Sequence, residues 1–140
     1  MIILDTNVIS EPLKSAPARA VIEWLDAQVA STLFIPAICL AELLAGVHAL
    51  PAGKRRTALQ HAVEVQISAL FHDRILAFDA SAANAFAFVH ASTVKHGHNI
   101  SFADCAIAAI AATHGYAIAT RNVKDFRGTG IKLVDPWQWQ

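Results

Sequence analysis

Three carboxylate side chains stand in apolar stretches of the chain, where a charge is costly to bury. Asp5 is the only charged residue among the first ten. Glu42 is the only one between positions 26 and 54, and Asp104 the only one between positions 95 and 121. An unpaired carboxylate in such surroundings shifts its pKa or binds a cation. One shared divalent cation would compensate all three charges, and oxygen ligands suit Mg²⁺ or Mn²⁺.

Each acid also has a purely structural interpretation. Asp5 could cap a helix that follows the first strand, and Glu42 could be a solvated residue on an exposed helix face. Asp104 follows Ser101 by three residues, which resembles a capping box with Asp in place of Glu. The isolation of all three acids in apolar stretches favours the shared cation site.

The elements around the acids alternate between strands and helices. Met1–Leu4 predicts a strand buried on both faces, because its apolar run does not alternate with polar residues. Asp5 then lies at the carboxyl end of that strand, the edge at which open α/β sheets bind ligands. The other predicted strands are Leu33–Ile35, Ile75–Phe78, Tyr116–Thr120 and Ile131–Val134. This alternation predicts one α/β domain over residues 1–140, with helices on both faces of a parallel sheet.

Helical spacing and end signals predict several helices. Leu40, Leu44 and Val47 predict the core face of a helix from about position 38 to position 50. Asp79 and Ser81 are both cap candidates for a later helix, Ser101 is the expected cap of the next one, and Gly115 is placed to end it.

Composition limits the classes of protein that fit. The chain is 55% hydrophobic and 16% charged, so we expect some of its surface to be covered by a partner or a second copy. No apolar run reaches the ~18 residues of a membrane span, so we expect a cytoplasmic protein. A formal net charge of zero argues against a protein that coats nucleic acid without sequence preference, because such a protein should be basic. Cys39 and Cys105 fit neither a zinc spacing nor a disulfide framework and are predicted to be buried small side chains.

Four segments, in order along the chain, resemble the PIN domain and specifically the VapC toxins of bacterial toxin–antitoxin pairs. The segments are Asp5–Ser10, Pro36–Gly46, Ser101–Ala109, and Thr120–Asn122 continuing through Asp125-Phe126 and Gly130 to Asp135-Pro136-Trp137. The ordered set covers essentially the whole chain. It implies a PIN-like three-layer sandwich in which helices flank a central, mostly parallel sheet.

The resemblance also implies a function and a set of site residues. It implies a Mg²⁺- or Mn²⁺-dependent endoribonuclease with a VapB-like antitoxin partner, a toxin homodimer, and inhibition by insertion of the antitoxin into the site. Asp5, Glu42 and Asp104 match the metal-binding acids of the family, and Asp125 matches a further acid that varies more in position. The polar residues expected around the site are Thr6, Asn7, Thr120 and Asn122.

The resulting hypothesis is hydrolysis of RNA phosphodiester bonds by metal-activated water, with a carboxylate as general base. Setting four site acids aside leaves 7 of the 11 acidic side chains against 11 basic ones, a balance suited to phosphate contact. The candidate RNA contacts are Lys54, Arg55, Arg56, Arg121, Lys124 and Arg127.

Two other classes of function remain open at this point. Receiver and haloacid-dehalogenase phosphotransfer domains also carry an Asp after the first strand, and Asp79 could act as a phosphoacceptor. Asn7 stands where such domains would need a paired acid, and Asp79 is better explained as a helix cap. The third class is a catalytically weak, nuclease-like binding module, against which the retained carboxylates argue.

Overall fold

Five short parallel strands form the centre of the structure. The computed structural model describes residues 1–140. The strands are β1 (Ile2–Leu4), β2 (Leu33–Pro36), β3 (Ile75–Leu76), β4 (Ala117–Ala119) and β5 (Leu133–Val134). They lie in the order β3-β2-β1-β4-β5, and every neighbouring pair is parallel. The α/β class and the parallel sheet predicted from the sequence are therefore confirmed.

The strand order reverses next to β1. The chain passes from β1 outward to β2 and β3, and then returns to β4 on the other side of β1. Leu4 is in register with Ala119, and the Asp5 amide donates to the Ala119 carbonyl at 3.0 Å. Asp5 and Thr120 therefore leave two adjacent strands side by side. In open α/β sheets, ligands bind in the crevice at such a reversal.

Helices flank the sheet and connect its strands. They are α1 (Thr6–Ser10), α2 (Arg19–Asp26), α3 (Ala37–His48), α4 (Lys54–His61), α5 (Ser68–Leu70), α6 (Ala80–Lys95) and α7 (Phe102–His114). A π-helical segment, Ala62–Ile67, joins α4 to α5. Short 3₁₀ helices lie at Glu11–Leu13, Ala30–Thr32, Val123–Phe126 and Pro136–Gln138. None of the helices combines the length and the apolar character that a membrane crossing requires.

The predicted helix ends of α6 and α7 are confirmed. The Asp79 carboxylate accepts a hydrogen bond from the Ala82 amide at 2.9 Å, and the Ser101 hydroxyl accepts one from the Asp104 amide at 3.1 Å. Gly115 ends α7 with φ +69°, in the left-handed region that a residue without a Cβ adopts freely.

The core lies between the sheet and the inner helix faces. β1 contributes Ile3, and every residue of α7 from Cys105 to Ala111 is buried. Of the three residues predicted to form the core face of α3, Val47 is buried, but Leu40 and Leu44 each lie one position after a buried residue. The buried residues of α3 are Cys39, Leu43 and Val47, whereas the sequence analysis assigned Leu40 and Leu44 beside Val47. Because α3 is apolar on nearly every side, its periodicity does not identify the buried face, and Leu40 and Leu44 pack against the core only partly buried.

Candidate active site

Asp5 is buried and held by hydrogen bonds from neutral donors. Only 5% of its surface is exposed. Oδ1 accepts a bond from the Thr6 amide at 2.7 Å, so the predicted cap of α1 exists. Oδ2 accepts bonds from Thr120 Oγ1 at 2.7 Å and from Asn7 Nδ2 at 3.1 Å. These contacts fix the orientation of the carboxylate, but none of them supplies a positive charge.

The loop after β4 is tied to α1 through the same polar residues. Thr120 Oγ1 donates to Asp5 and accepts a bond from the Asn122 amide at 3.0 Å. Asn7 Oδ1 accepts a bond from the Arg121 amide at 3.1 Å. The polar residues expected around the site thus lie together at the carboxyl ends of β1 and β4.

Glu42 reaches the same place from α3. Its side chain is exposed, and Oε1 accepts a hydrogen bond from Thr6 Oγ1 at 2.8 Å. Ligand atoms of Asp5, Glu42 and Cys39 all lie within 4.8 Å of one another. A carboxylate from the end of β1 and one from the second turn of α3 therefore share a single small volume.

Asp104 lies in the first turn of α7 and is half-buried. Its amide bonds to Ser101, but no hydrogen bond joins its carboxylate to the Ser101 amide, so the capping box is incomplete. Burial raises the pKa of Asp104, and the charges of Asp5, Asp125 and Glu42 raise it further, while the Ser101 hydroxyl opposes them. The charges of the other three acids named from the sequence thus act on Asp104, although Asp104 and Asp125 lie outside the compact group formed by Asp5, Glu42 and Cys39.

No basic side chain compensates these four acids. The ion pairs of the structure involve Glu11, Glu23 and Asp73 instead. Clustered carboxylate oxygens without a cationic partner are the donor set that Mg²⁺ and Mn²⁺ prefer. The residues present therefore fit a divalent cation. Asp5, Glu42 and Asp104 are the candidate ligands, and Asp125 lies exposed on the short helix Val123–Phe126.

A sequence model of the PIN domain matches residues 2–132. The chain belongs to the PIN domain family. It is 44% identical over 138 residues, 99% of either chain, to VapC ribonuclease Y4jK of Sinorhizobium fredii. It is 40% identical over 137 residues, 98% of this chain and 99% of the other, to toxin FitB of Neisseria gonorrhoeae. The solved structure of FitAB bound to an IR36 DNA fragment superposes with a TM-score of 0.96 at 38% identity, covering 100% of this chain and 98% of that one.

Cys39 contacts the acids of this PIN domain, which the sequence analysis did not foresee. The predicted burial is confirmed, and Cys39 Sγ lies 3.9 Å from Asp5 Oδ1. Burial raises the pKa of the Cys39 thiol strongly, and the charges of Asp5 and Glu42 add to that rise. The thiol therefore stays protonated and donates a weak hydrogen bond to Asp5, so we do not count it among the ligands of a hard cation. Its position one helical turn before Glu42 on α3 was the available signal.

Of the six basic candidates, Arg55 and Arg121 are connected to other residues of the site. Arg55 lines a groove that also contains Glu42. The Arg121 amide bonds to Asn7, and its guanidinium lies 5.4 Å from the centre of the Trp137 ring. Neither of them forms an ion pair with a site acid.

The other four basic candidates lie on the short helix Val123–Phe126, directly after it, or on α4. Lys124 neighbours Asp125 on the short helix Val123–Phe126. Arg56 Nη2 lies 3.2 Å from His48 Nδ1, and Lys54 lines a separate hollow along α4. Arg127 is exposed after that short helix. A role of any of the six in binding RNA stays a prediction.

Sequence reasoning also missed the pair formed by Glu11 and Lys14. The Glu11 carboxylate is buried, whereas Lys14 lines the groove that contains Glu42. A signal existed, because Glu11 directly follows the first motif and stands between apolar residues of that segment. Glu11 stood out less than Asp5 did, because another charged residue, Lys14, follows it after three positions.

Proposed function

We propose that this PIN domain is the toxin of a toxin–antitoxin pair and acts as a divalent-metal-dependent endoribonuclease. The observation that carries the proposal is the approach of Asp5 and Glu42 to within 4.8 Å without any cationic partner. The names of two full-length relatives, a VapC ribonuclease and a toxin, support the same activity. The proposal takes residues 1–140 as one nuclease domain.

In this proposal Asp5, Glu42 and Asp104 hold Mg²⁺ or Mn²⁺, and Asp125 is a further acid at the exposed side of the site. Once bound, the cation stabilises the charge that develops on the scissile phosphate and activates water. Burial raises the pKa of Asp104, the charges of Asp5, Asp125 and Glu42 raise it further, and the carboxylates of Asp5 and Glu42 lie within 4.8 Å of each other, where they repel. Binding a cation relieves that repulsion.

The chain's own residues orient the ligands and manage the proton. Thr120 and Asn7 fix Asp5, and Thr6 fixes Glu42, through the hydrogen bonds described above. Water attacks the phosphorus, and one of the site carboxylates accepts the proton that the water releases. The bond to the leaving oxygen breaks, and that oxygen takes up a proton from solvent. Because these hydrogen bonds fix the ligands before substrate arrives, little reorganisation is required during the reaction.

Substrate RNA is proposed to reach the acids across the basic residues of the same face. Arg55 and Arg121 lie beside the site, and Lys124 follows on the short helix Val123–Phe126. Lys54, Arg56 and Arg127 are the further basic residues proposed to contact RNA. Phosphate contacts of this kind position a strand without reading its sequence.

A VapB-like antitoxin and a second copy of the chain are the proposed partners, in the cytoplasm. Large apolar side chains remain exposed, among them Phe88 at 79%, Phe102 at 68% and Val94 at 60%. If these side chains form a contiguous patch in the assembled protein, a partner or a second copy would cover it. Light scattering at micromolar concentration tests the homodimer, and a monomer would contradict it.

The structure offers no support for a phosphotransfer function. The Asp79 carboxylate is engaged in capping α6 through the Ala82 amide. Asn7 donates an amide hydrogen to Asp5, where a receiver-type site would place a second acid. Both side chains are therefore accounted for without a phosphoacceptor.

The test is cleavage of total RNA by the purified protein, freed of any antitoxin, with Mg²⁺ or Mn²⁺. We expect discrete fragments that disappear with EDTA and with the Asp5→Asn variant. Cleavage that persists in both controls would contradict the site described here. A folded wild-type protein that cleaves nothing would instead support the nuclease-like binding module.

A further inference from the structure

A groove of about 300 Å³ runs from Glu42 between α1, α3 and α4. Its floor is apolar and includes Leu43, Val47 and Leu59. Its polar residues are Thr6, Ser10, Lys14, Glu42 and Arg55. The groove therefore combines one proposed metal ligand with two basic side chains, Lys14 and Arg55, of which Lys14 was not among the sequence candidates.

Lys14 is held by a carboxylate buried behind it. Lys14 Nζ lies 2.6 Å from Glu11 Oε2, and Glu11 Oε1 accepts a hydrogen bond from the Ala18 amide at 2.8 Å. The Glu11 side chain is 4% exposed, whereas that of Lys14 is 52% exposed. The Lys14 contact lowers the pKa of Glu11, and the charge of Arg121 lowers it further, so the carboxylate is ionised at neutral pH.

This ion pair differs from an ordinary surface pair. Arg19 and Glu23 form such a pair on α2, where the side chains are 91% and 51% exposed. In the Glu11–Lys14 pair, by contrast, only the Lys14 side chain is exposed, and it lines the groove. An ammonium has three donors, and Glu11 takes only one of them, so the other donors of Lys14 are free for a ligand.

We propose that Glu11 positions Lys14 as a binding residue for a phosphodiester of the RNA strand that enters the groove toward Glu42. The inference rests on the proposed function. Lys14 and Arg55 attract a phosphate and repel a basic side chain, and the opposing charge of Glu42 in the same groove is the one that the proposed cation compensates. Burial of Glu11 fixes the ammonium in place, so less side-chain entropy is lost when the phosphate binds.

The test measures the affinity of a fluorescein-labelled single-stranded RNA of mixed sequence by anisotropy, in EDTA and over a range of salt concentrations. We expect Lys14→Ala to weaken binding several-fold and to reduce the log–log salt slope by about 0.7, the value for one phosphate contact on a single strand. Lys14→Arg should retain most of the affinity. In Mn²⁺, Lys14→Ala should raise KM more than it lowers kcat.

Glu11→Gln and Glu23→Gln form a matched pair, because each removes one negative charge. If only net charge mattered, both variants would bind RNA more tightly. We expect Glu23→Gln to bind as well as the wild type or slightly better, and Glu11→Gln to bind several-fold more weakly because Lys14 loses its anchor. Thermal unfolding checks that each variant is folded, and the Lys14 variants carry the test if Glu11→Gln does not fold.

The outcomes separate this inference from the proposed function. A wild-type protein that cleaves RNA, together with a Lys14→Ala variant of unchanged affinity and salt slope, would overturn the role of Lys14 alone. Lys14→Ala that weakens antitoxin binding and leaves RNA binding intact would also overturn it, in favour of a protein contact. A folded wild type that neither binds nor cleaves RNA would overturn the proposed function itself.

Discussion

Thr120 Oγ1 donates a 2.7 Å hydrogen bond to Asp5 Oδ2 from the strand next to β1, across the reversal in the strand order. The same hydroxyl accepts the Asn122 amide, so one buried side chain joins the first acid to the loop after β4. This hydrogen bond therefore joins the point where the strand order reverses to the first proposed metal ligand.

Replacing Thr120 with Val keeps the shape of the side chain and removes its hydroxyl. We expect activity or metal affinity to fall about 10- to 100-fold, as for other residues that orient metal ligands. The free energy of unfolding should fall by ~1–3 kcal/mol, because buried partners lose their hydrogen bonds. Thr113→Val is the control, since Thr113 bonds only to the Ala109 carbonyl of its own helix. Equal cleavage rates for the two variants would contradict the role of Thr120.

We expect Asp104 to contribute a loss of stability to the metal-free protein as pH rises. Its pKa is raised by burial and by Asp5, Asp125 and Glu42, so the folded state keeps this proton to higher pH than the unfolded chain does. Between the ordinary Asp pKa and the raised value, the folded state binds more protons, and the free energy of unfolding therefore falls as pH increases. Urea unfolding in EDTA measures this dependence.

Asp104→Asn removes the ionisation while keeping the shape of the side chain. In EDTA we expect this variant to lack that fall and to exceed the wild type in stability at neutral pH. Added Mn²⁺ should stabilise the wild type more than the variant, because Asp104 is a proposed ligand. Lower stability of Asp104→Asn at neutral pH in EDTA would contradict the interpretation of the raised pKa.

The caps of α6 and α7 provide a pair of variants that separates stability from function. Ser101→Ala and Asp79→Ala should each cost about 1 kcal/mol in the free energy of unfolding, the usual loss for a helix cap. Only Ser101→Ala should also reduce RNA cleavage, since the first turn of α7 carries Asp104. Chemical denaturation and initial cleavage rates are measured on both variants. A similar loss of cleavage in Asp79→Ala would argue against a specific role for that turn.

Both thiols should be inert in the folded protein. Burial raises the pKa of Cys39 and of Cys105, so little thiolate is present at neutral pH. We expect iodoacetamide to label them only after unfolding, as measured by intact mass. Cys39→Ala should retain Mn²⁺ binding, because the proposed ligands are oxygen atoms. Rapid labelling of native Cys39, or loss of Mn²⁺ binding in Cys39→Ala, would show that this thiol is available as a ligand.

Sequence patterns gave the correct fold class because strands and helices alternate, but they did not give the strand order. That order depends on contacts between distant segments, such as the pairing of Leu4 with Ala119. The face of α3 was misassigned because its apolar residues surround the helix. The π-helical segment Ala62–Ile67 has no periodic signal that distinguishes it from the α-helices on either side.

The acids of the candidate site could be named from the sequence because isolated charges stand out in apolar stretches. Their partners were harder to find from the residues alone. Cys39 has the composition of a core residue, and only its place one turn before Glu42 brings it to Asp5. Glu11 and Lys14 resemble an ordinary surface pair in the sequence, and only the fold buries one of them and leaves the other on the groove.

The central claim is that Asp5, Glu42 and Asp104 form one site for a divalent cation. The most direct test is a Mn²⁺ titration of the purified protein, with free Mn²⁺ followed by electron paramagnetic resonance. Asp5→Asn is compared with Asp79→Asn, which changes an Asp whose carboxylate caps α6 through the Ala82 amide, and circular dichroism confirms that both are folded. We predict that the wild type and Asp79→Asn bind Mn²⁺ alike and that Asp5→Asn loses binding. Equal binding by all three proteins would contradict the account.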